Sequence, residues 1–158
     1  MEKEQLKNTL TKLLSTDKTN NEKLQEICLF LKENIPYYDW VGFYFTDANK
    51  KELHLGPFAG LPTDHTTIPF GKGICGQVAE SNQTFLVSDV MAQDNYISCN
   101  INVKSEIVVP IIVNDINIGQ IDIDSNTLNA FTAEDRELLE WLTDEIGKIY
   151  VSDISPSF

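Results

Sequence analysis

Apolar residues near the N-terminus recur at the spacing of two amphipathic helices. A polar, turn-like stretch at 15–21 separates the two stripes, and Pro36 ends the second one. The first stripe is Leu6, Leu10, Leu13 and Leu14, and the second is Leu24, Ile27, Cys28 and Leu31. We therefore predict two helices within residues 1–35, with the Cys28 thiol packed in the core.

The middle of the chain is rich in β-branched and aromatic residues and predicts a sheet. The predicted strands cover residues 40–45, 52–58, 85–88, 106–113 and 116–124. Asn114 and Asp115 separate the last two strands, as in a tight hairpin, and short turns favour antiparallel pairing. Residues 69–80 predict a glycine-rich turn that leads into a short helix. Residues 89–105 predict a polar loop, and loops of this length are often functional.

A third helix is predicted to close the fold. Thr132 is its expected N-cap, and Glu134 and Asp135 lie in its first turn, where the helix dipole favours anions. Its buried stripe is Leu138, Leu142, Ile146 and Ile149. The order of elements predicts one α+β domain, with helices in 1–35, a core in 36–150 and a polar tail in 151–158.

Charge and composition narrow the classes of function. The 158 residues include 24 acidic and 12 basic side chains, and a net charge of −12 disfavours binding to nucleic acids or anionic membranes. No apolar run approaches the ~20 residues of a membrane span, and no signal peptide is expected. Three cysteines and two histidines, without a Cys-x-x-Cys pair, predict neither a disulfide scaffold nor a metal site. We expect a soluble, cytoplasmic protein.

The sequence Ile121-Asp122-Ile123-Asp124 places two carboxylates on one face of a strand and two isoleucines on the other. If the isoleucines pack on the helices, the aspartates face away from them. They then form a solvated strand face, bind a cation or an ammonium group, or hold a proton between them.

Glu106 begins the partner strand and joins these aspartates only if the strand pairing is irregular. A two-residue turn at Asn114-Asp115 pairs residue 106 with residue 123, which puts Glu106 on the isoleucine face. A three-residue loop moves Glu106 to the aspartate face, and so does one bulge, for which Gly119 and Pro110 are suitable places. We predict such a shift if the three carboxylates act together.

Two cysteines and one aromatic strand are further candidates for chemistry. Cys99, in the polar loop, is either a reactive thiol or a packing residue. Cys75 lies near the start of the short helix, where the dipole would lower a thiol pKa, or it is small apolar packing. Trp40, Gly42 and Tyr44 share one strand face, and the glycine predicts either ordinary packing or an apolar slot for a methyl or thioether group.

Six segments occur in the order that is typical of one family. They are DWVGFY at 39–44, GPFAG at 56–60, IPFGKGICG at 68–76, ISCN at 97–100, SEIVVP at 105–110 and IDIDS at 121–125. Over residues 36–145 the chain resembles the free methionine-(R)-sulfoxide reductases, which are single GAF-domain proteins. Each segment alone is a weak signal, whereas six in order are specific.

The resemblance implies a GAF domain, in which a central antiparallel sheet carries the N- and C-terminal helices on one face and a ligand pocket on the other. It implies reduction of free L-methionine-(R)-sulfoxide to methionine, a response to oxidative stress, without a cofactor. The family's nucleophile maps onto Cys99, and Cys75 is implied to take part in disulfide exchange. The implied substrate-binding residues are Trp40, Tyr44, Glu106, Asp122 and Asp124.

The resemblance also implies partners, and this sequence departs from the family at two places. Thioredoxin or another thiol is the implied reductant, and GAF domains often form homodimers through their terminal helices. Residues 62–67 lack the further cysteine that resolves the oxidised nucleophile in many members, and Asn100 replaces an acidic residue. Two other classes therefore stay open, a non-catalytic GAF module that binds a small ligand and signals, and a thiol peroxide sensor.

Overall fold

The computed structural model describes residues 1–93 and 102–154, the last three by their backbone alone. The predicted loop is thus described on either side of 94–101, and Cys99 lies outside the described residues. The helices are α1 (Lys3–Leu14), α2 (Asn20–Asn34), α3 (Gly73–Ser81) and α4 (Ala133–Ile154). The strands are β1 (Trp40–Asp47), β2 (Glu52–Ala59), β3 (Thr67–Pro69), β4 (Phe85–Val87), β5 (Ser105–Val113) and β6 (Ile116–Ser125), with a 3₁₀ turn at Val90–Ala92.

The strands form one antiparallel sheet in the order β3-β2-β1-β6-β5-β4. The predicted antiparallel pairing is confirmed, and β1 and β6 lie at the centre. Strand β3 was not predicted, because it is three residues long and ends in a proline and so lacks the alternating run by which a strand is recognised.

Helices α1, α2 and α4 cover one face of the sheet, as predicted. Their apolar stripes meet the sheet residues that point to the same side, among them Val41, Phe43, Ile121 and Ile123. Cys28 is completely buried in this core, as predicted. The other sheet face packs on α3 and forms a second, separate core. Helix α4 continues to Ile154, into the segment 151–158 that was predicted as a polar tail.

The length and the apolar character needed to cross a bilayer do not occur together in any helix of residues 1–93 and 102–154.

The β5–β6 hairpin contains the irregularity on which the position of Glu106 depends. Asn114 and Asp115 have φ values of 50° and 65°, as in a type I′ turn. The register shifts between Ile111 and Ile112, whose partners are Gly119 and Asn117, so Ile118 is the extra residue of a bulge. Glu106 consequently pairs with Asp124, and all three carboxylates share one face.

Asp135 anchors the start of α4 to the segment that leads into β1. Its carboxylate accepts hydrogen bonds from the hydroxyls of Tyr37 and Tyr38, both at 2.7 Å, and from the backbone N–H of Thr132 at 2.8 Å. The Asp135 side chain is 5% exposed. Burial and the nearby carboxylate raise the pKa of both tyrosines, so their hydroxyls stay protonated as donors.

Asp135→Ala is expected to lower the free energy of unfolding by about 3 kcal/mol, because a buried charged acceptor of several hydrogen bonds is lost. Urea denaturation followed by tryptophan fluorescence measures the change. The matched control is Asp144→Ala, an exposed position on the same helix, which should change stability by less than about 0.5 kcal/mol. Equal stability of the two variants would contradict the anchoring role.

Candidate active site

Three carboxyl groups lie together on the sheet face that α3 covers. Glu106 extends from β5, and Asp122 and Asp124 extend from the central strand β6. Their exposed fractions are 4%, 1% and 2%, so the interpretation of a solvated strand face is wrong. One oxygen of each aspartate, Oδ1, has no hydrogen-bond partner among the described residues. Buried acceptors without partners are costly, which is typical of a site that binds a donor or a proton.

The environment of the aspartates favours their protonated forms. Burial raises the pKa of Asp122, although hydrogen bonds with Glu106 and Cys75 partly oppose this. Burial also raises the pKa of Asp124 well above its usual range, and repulsion by Asp122 adds to the effect. The cluster can therefore hold a proton at a pH at which an exposed aspartate is ionised.

Cys75 faces these carboxyl groups from the first turn of α3. Its Sγ lies 3.8 Å from Oε2 of Glu106, and its backbone carbonyl accepts a hydrogen bond from Nε2 of Gln120 at 3.2 Å. Of the two alternatives predicted for Cys75, the structure favours buried packing over a lowered thiol pKa. Burial and the charges of Asp122, Glu106 and Asp124 raise the pKa of Cys75 well above its usual value, so they outweigh the helix dipole.

Gln120 is a member of the site that the sequence analysis missed. It follows the same alternation as Asp122 and Asp124, it is completely buried, and its Oε1 has no hydrogen-bond partner among the described residues. The period of two along β6 was the available signal, since residues 120, 122 and 124 fall on one face.

Aromatic residues of β1 form a wall directly beside the carboxyl groups. Trp40 pairs with Asp124 across the strands, Gly42 with Asp122, and Tyr44 with Gln120. The Trp40 indole stacks on Phe58 with a centroid distance of 5.6 Å and an interplanar angle of 17°. The structure thus brings the predicted residues Trp40 and Tyr44 to the same face as the acids.

Of the two alternatives predicted for Gly42, the structure supports ordinary packing and contradicts an open slot between Trp40 and Tyr44. The space above Gly42 is filled by the Trp40 ring, because a Cβ atom at residue 42 would lie 2.3 Å from Cη2 of that ring. Gly42 therefore lets the indole lie flat on the strand. The Trp40 ring borders the large cavity, while Tyr44 is completely buried.

The two aromatic residues also hold the chain between β2 and β3 beside the site. Nε1 of Trp40 donates to the carbonyl of Leu61, and the hydroxyl of Tyr44 donates to the carbonyl of His65, both at 3.0 Å. Neither carbonyl could be predicted, since the contacts join residues 21 positions apart.

Two cavities border the cluster. An open cavity of about 540 Å³ is lined by Trp40, Leu61, Val103 and Asp124, and its volume suits an amino acid. A small cavity of about 10 Å³ lies under α3 and is lined by His65, Lys72, Cys75, Glu106 and Asp122 among others. Asp124 thus borders the large cavity, and Cys75 and Asp122 border the small one.

Comparison with known proteins identifies relatives of this fold and site. The GAF domain family model matches residues 20–149. The free methionine-R-sulfoxide reductase of Escherichia coli is 37% identical over 119 residues, which are 75% of this chain and 70% of that protein.

Two solved structures are similar over nearly the whole chain. The free methionine-R-sulfoxide reductase of Neisseria meningitidis, in complex with its substrate, is 34% identical with a TM-score of 0.85, covering 95% of this chain and 92% of that one. The reduced form of fRMsr from Staphylococcus aureus is 37% identical with a TM-score of 0.86, covering 93% and 94%.

Proposed function

The chain belongs to the free methionine-R-sulfoxide reductase family of GAF-domain proteins, and from this premise we propose how its buried acids and cysteines carry out the reaction. The predicted fold and activity are thereby confirmed, and the alternative of a signalling module is not favoured. The observation that carries the mechanism is the buried cluster of Glu106, Asp122 and Asp124 beside Trp40.

The acids have two tasks in this proposal. A sulfoxide sulfur becomes electrophilic when its oxygen is protonated or strongly hydrogen-bonded, and the raised pKa of the aspartates supports a proton in the cluster. An ionised carboxylate binds the substrate ammonium through charge-assisted hydrogen bonds. A methionine sulfoxide within a polypeptide has no ammonium at that place, which accounts for selectivity toward the free amino acid. The Trp40 and Tyr44 wall contacts the methylthio end.

Cys99 is the proposed nucleophile. Burial raises the pKa of Cys28 and of Cys75, so neither of these thiols is poised as a thiolate. The Cys99 thiolate attacks the sulfoxide sulfur, and the sulfur–oxygen bond breaks. The substrate sulfur is reduced by two electrons and leaves as methionine, while the oxygen ends on Cys99 as a sulfenic acid, oxidised by two electrons.

Recycling of the sulfenic acid needs a second thiol. Cys75 is the proposed internal partner, forming a disulfide with loss of water, which a thioredoxin-type dithiol reduces. Because residues 62–67 contain no cysteine, an external thiol acting directly on Cys99 is the other route. We also propose that the protein acts in the reducing cytoplasm, under oxidative stress. A homodimer formed through the terminal helices is a further part of the proposal.

Cys75→Ser distinguishes the two routes. If Cys75 resolves the sulfenic acid, turnover with thioredoxin should fall by roughly 10-fold or more, whereas the yield of a single turnover without reductant stays unchanged. Turnover is measured by the consumption of NADPH, which thioredoxin reductase uses to reduce thioredoxin. The yield of the single turnover is measured by quantitation of methionine. Equal losses in both would assign Cys75 to the architecture of the pocket, since a structural change affects the first step as well.

The activity itself is tested with the intact protein, dithiothreitol and four substrates. Free methionine-R-sulfoxide should yield methionine, whereas the S form should not. N-acetyl-methionine-R-sulfoxide, which lacks the ammonium, should react at least about 100-fold more slowly, because a buried charge pair is lost. A methionyl peptide should behave like the acetylated compound. Equal rates for the free and acetylated substrates would contradict the proposed binding of the ammonium.

A further inference from the structure

We propose that Cys75, Glu106 and Asp122 also form a binding site for one thiophilic divalent cation, with Zn²⁺ as the prototype, and that the bound cation excludes the substrate. The binding part of the proposal stands on geometry alone, and the competition with substrate rests on the proposed function. The spacing of these residues along the chain matches no zinc motif, so the sequence predicted no metal site.

The donor atoms are close enough to bind one ion. Sγ of Cys75 and one carboxylate oxygen each of Glu106 and Asp122 all lie within 4.8 Å of one another. Zinc binds sulfur at about 2.3 Å and carboxylate oxygen at about 2.0–2.2 Å, which spaces tetrahedral ligands by about 3.5 Å. The existing 3.8 Å separation between Sγ of Cys75 and Oε2 of Glu106 is near that value. Small rotations of the buried side chains would complete the geometry.

The space among these atoms fits an ion better than a substrate. The cavity that they line has a volume of about 10 Å³, which holds about one water-sized particle. A whole methionine sulfoxide molecule does not fit in it, whereas one cation or one water molecule does. A cation bound there would occupy the carboxylate oxygens of Glu106 and Asp122, which the proposed function assigns to the substrate, and would compete with it in that way. Lys72 is the only lysine or arginine among the residues described as lining it.

An unpartnered oxygen provides independent support for a ligand at this place. Asp122 lines the small cavity and is 1% exposed, and its Oδ1 has no hydrogen-bond partner among the described residues. A divalent cation would satisfy this acceptor and neutralise part of the acidic cluster. The thiol selects zinc, cobalt or cadmium over magnesium and calcium, which prefer oxygen ligands.

A second group of donors on the surface provides a control. Asp47, Glu52 and His54 also lie within 4.8 Å of one another, but they are partly or fully exposed. Oδ1 of Asp47 already accepts the backbone N–H groups of Asn49 and Lys50, and His54 pairs with Glu52 at 2.9 Å. Metal bound there would have a nitrogen and oxygen ligand set without sulfur.

The test uses reduced, chelator-treated protein under anaerobic conditions without added thiol. Titration with Co²⁺ should produce a thiolate-to-cobalt charge-transfer band, and Zn²⁺ should remove the band by displacement. Cys75→Ser should abolish the band, and Asp122→Asn should keep the band with affinity weakened roughly 10-fold or more. Cys28→Ser and His54→Ala should leave both the band and the affinity unchanged. In the assay of methionine sulfoxide reduction, Zn²⁺ should raise KM for the sulfoxide, and a chelator should return KM to its value without metal.

The outcomes separate this proposal from the proposed function. A charge-transfer band that survives in Cys75→Ser would overturn the assignment of Cys75 as the sulfur ligand. If the band were lost in Cys99→Ser instead, Cys99 would be that ligand. Absence of any band together with normal turnover would reject the metal site and leave the reductase function intact. A normal band in a protein that does not turn over methionine sulfoxide would do the reverse. Asp122→Asn keeps all three thiols, so the affinity test does not depend on the folding of Cys75→Ser.

Discussion

Replacement of Cys99 by serine is expected to abolish the reduction of free methionine-R-sulfoxide, lowering kcat/KM by at least roughly 1000-fold. A serine hydroxyl is far less ionised and less nucleophilic than a thiol, and it cannot form the sulfenic acid through which oxygen leaves the substrate. Quantitation of methionine with dithiothreitol as reductant measures the effect. No recycling thiol of the protein is needed in that assay, so the loss reports the first chemical step.

Cys28→Ser is the matched control for this substitution. Cys28 lies in the helical core on the opposite face of the sheet, and its Sγ is 3.6 Å from the carbonyl of Pro57, a contact that a hydroxyl can replace. Its kcat/KM should stay within about 3-fold of the unmodified chain, whatever the change in stability. A Cys99→Ser protein that still releases methionine would move the nucleophile to Cys75, the cysteine that the structure places on the same sheet face as the carboxyl groups.

The position of Glu106 shows how far the sequence could predict the site. Counting residues from the Asn114-Asp115 turn places Glu106 on the wrong face, and the family resemblance required it on the aspartate face. The prediction was either a three-residue loop or a bulge, and the structure has a bulge at Ile118, beside the predicted position Gly119. Hydrophobic alternation fixes which residues share a face, but a bulge changes the phase between two strands.

The burial of the three acids could not be predicted from the sequence, for a different reason. The alternation in 121–124 predicted correctly that the isoleucines pack on the helices, but it did not show what covers the other face. Helix α3 and the chain around Leu61 do so, and they come from other parts of the sequence. The direction in which the pKa of Cys75 is shifted could not be predicted for the same reason. That direction depends on the burial of the thiol and on the neighbouring acids more than on the helix to which Cys75 belongs.

Asp124→Asn is expected to lower kcat/KM by roughly 30-fold or more while making the protein more stable near neutral pH. Asp124 borders the large cavity and pairs with Trp40, so its carboxylate is placed to bind the substrate ammonium. An asparagine has nearly the same shape without the charge. The loss should appear mainly in KM if binding of the ammonium is the role of Asp124, and mainly in kcat if Asp124 supplies the proton.

The gain in stability follows from the raised pKa of Asp124. An aspartate in the unfolded chain has a pKa of about 3.9, which is lower than the pKa of Asp124 in the folded protein. Between these two pKa values, the native protein therefore binds more protons than the unfolded chain. The free energy of unfolding therefore decreases as pH rises through this window, and the cost is fully present above it. Asp124→Asn removes the cost and should raise the free energy of unfolding at pH 7. Urea denaturation across the pH range should show a flatter profile for Asp124→Asn, whereas Asp144→Asn, exposed on α4, should follow the unmodified chain. A decrease in stability at neutral pH would mean that the carboxylate of Asp124 is held ionised by a partner in the native state.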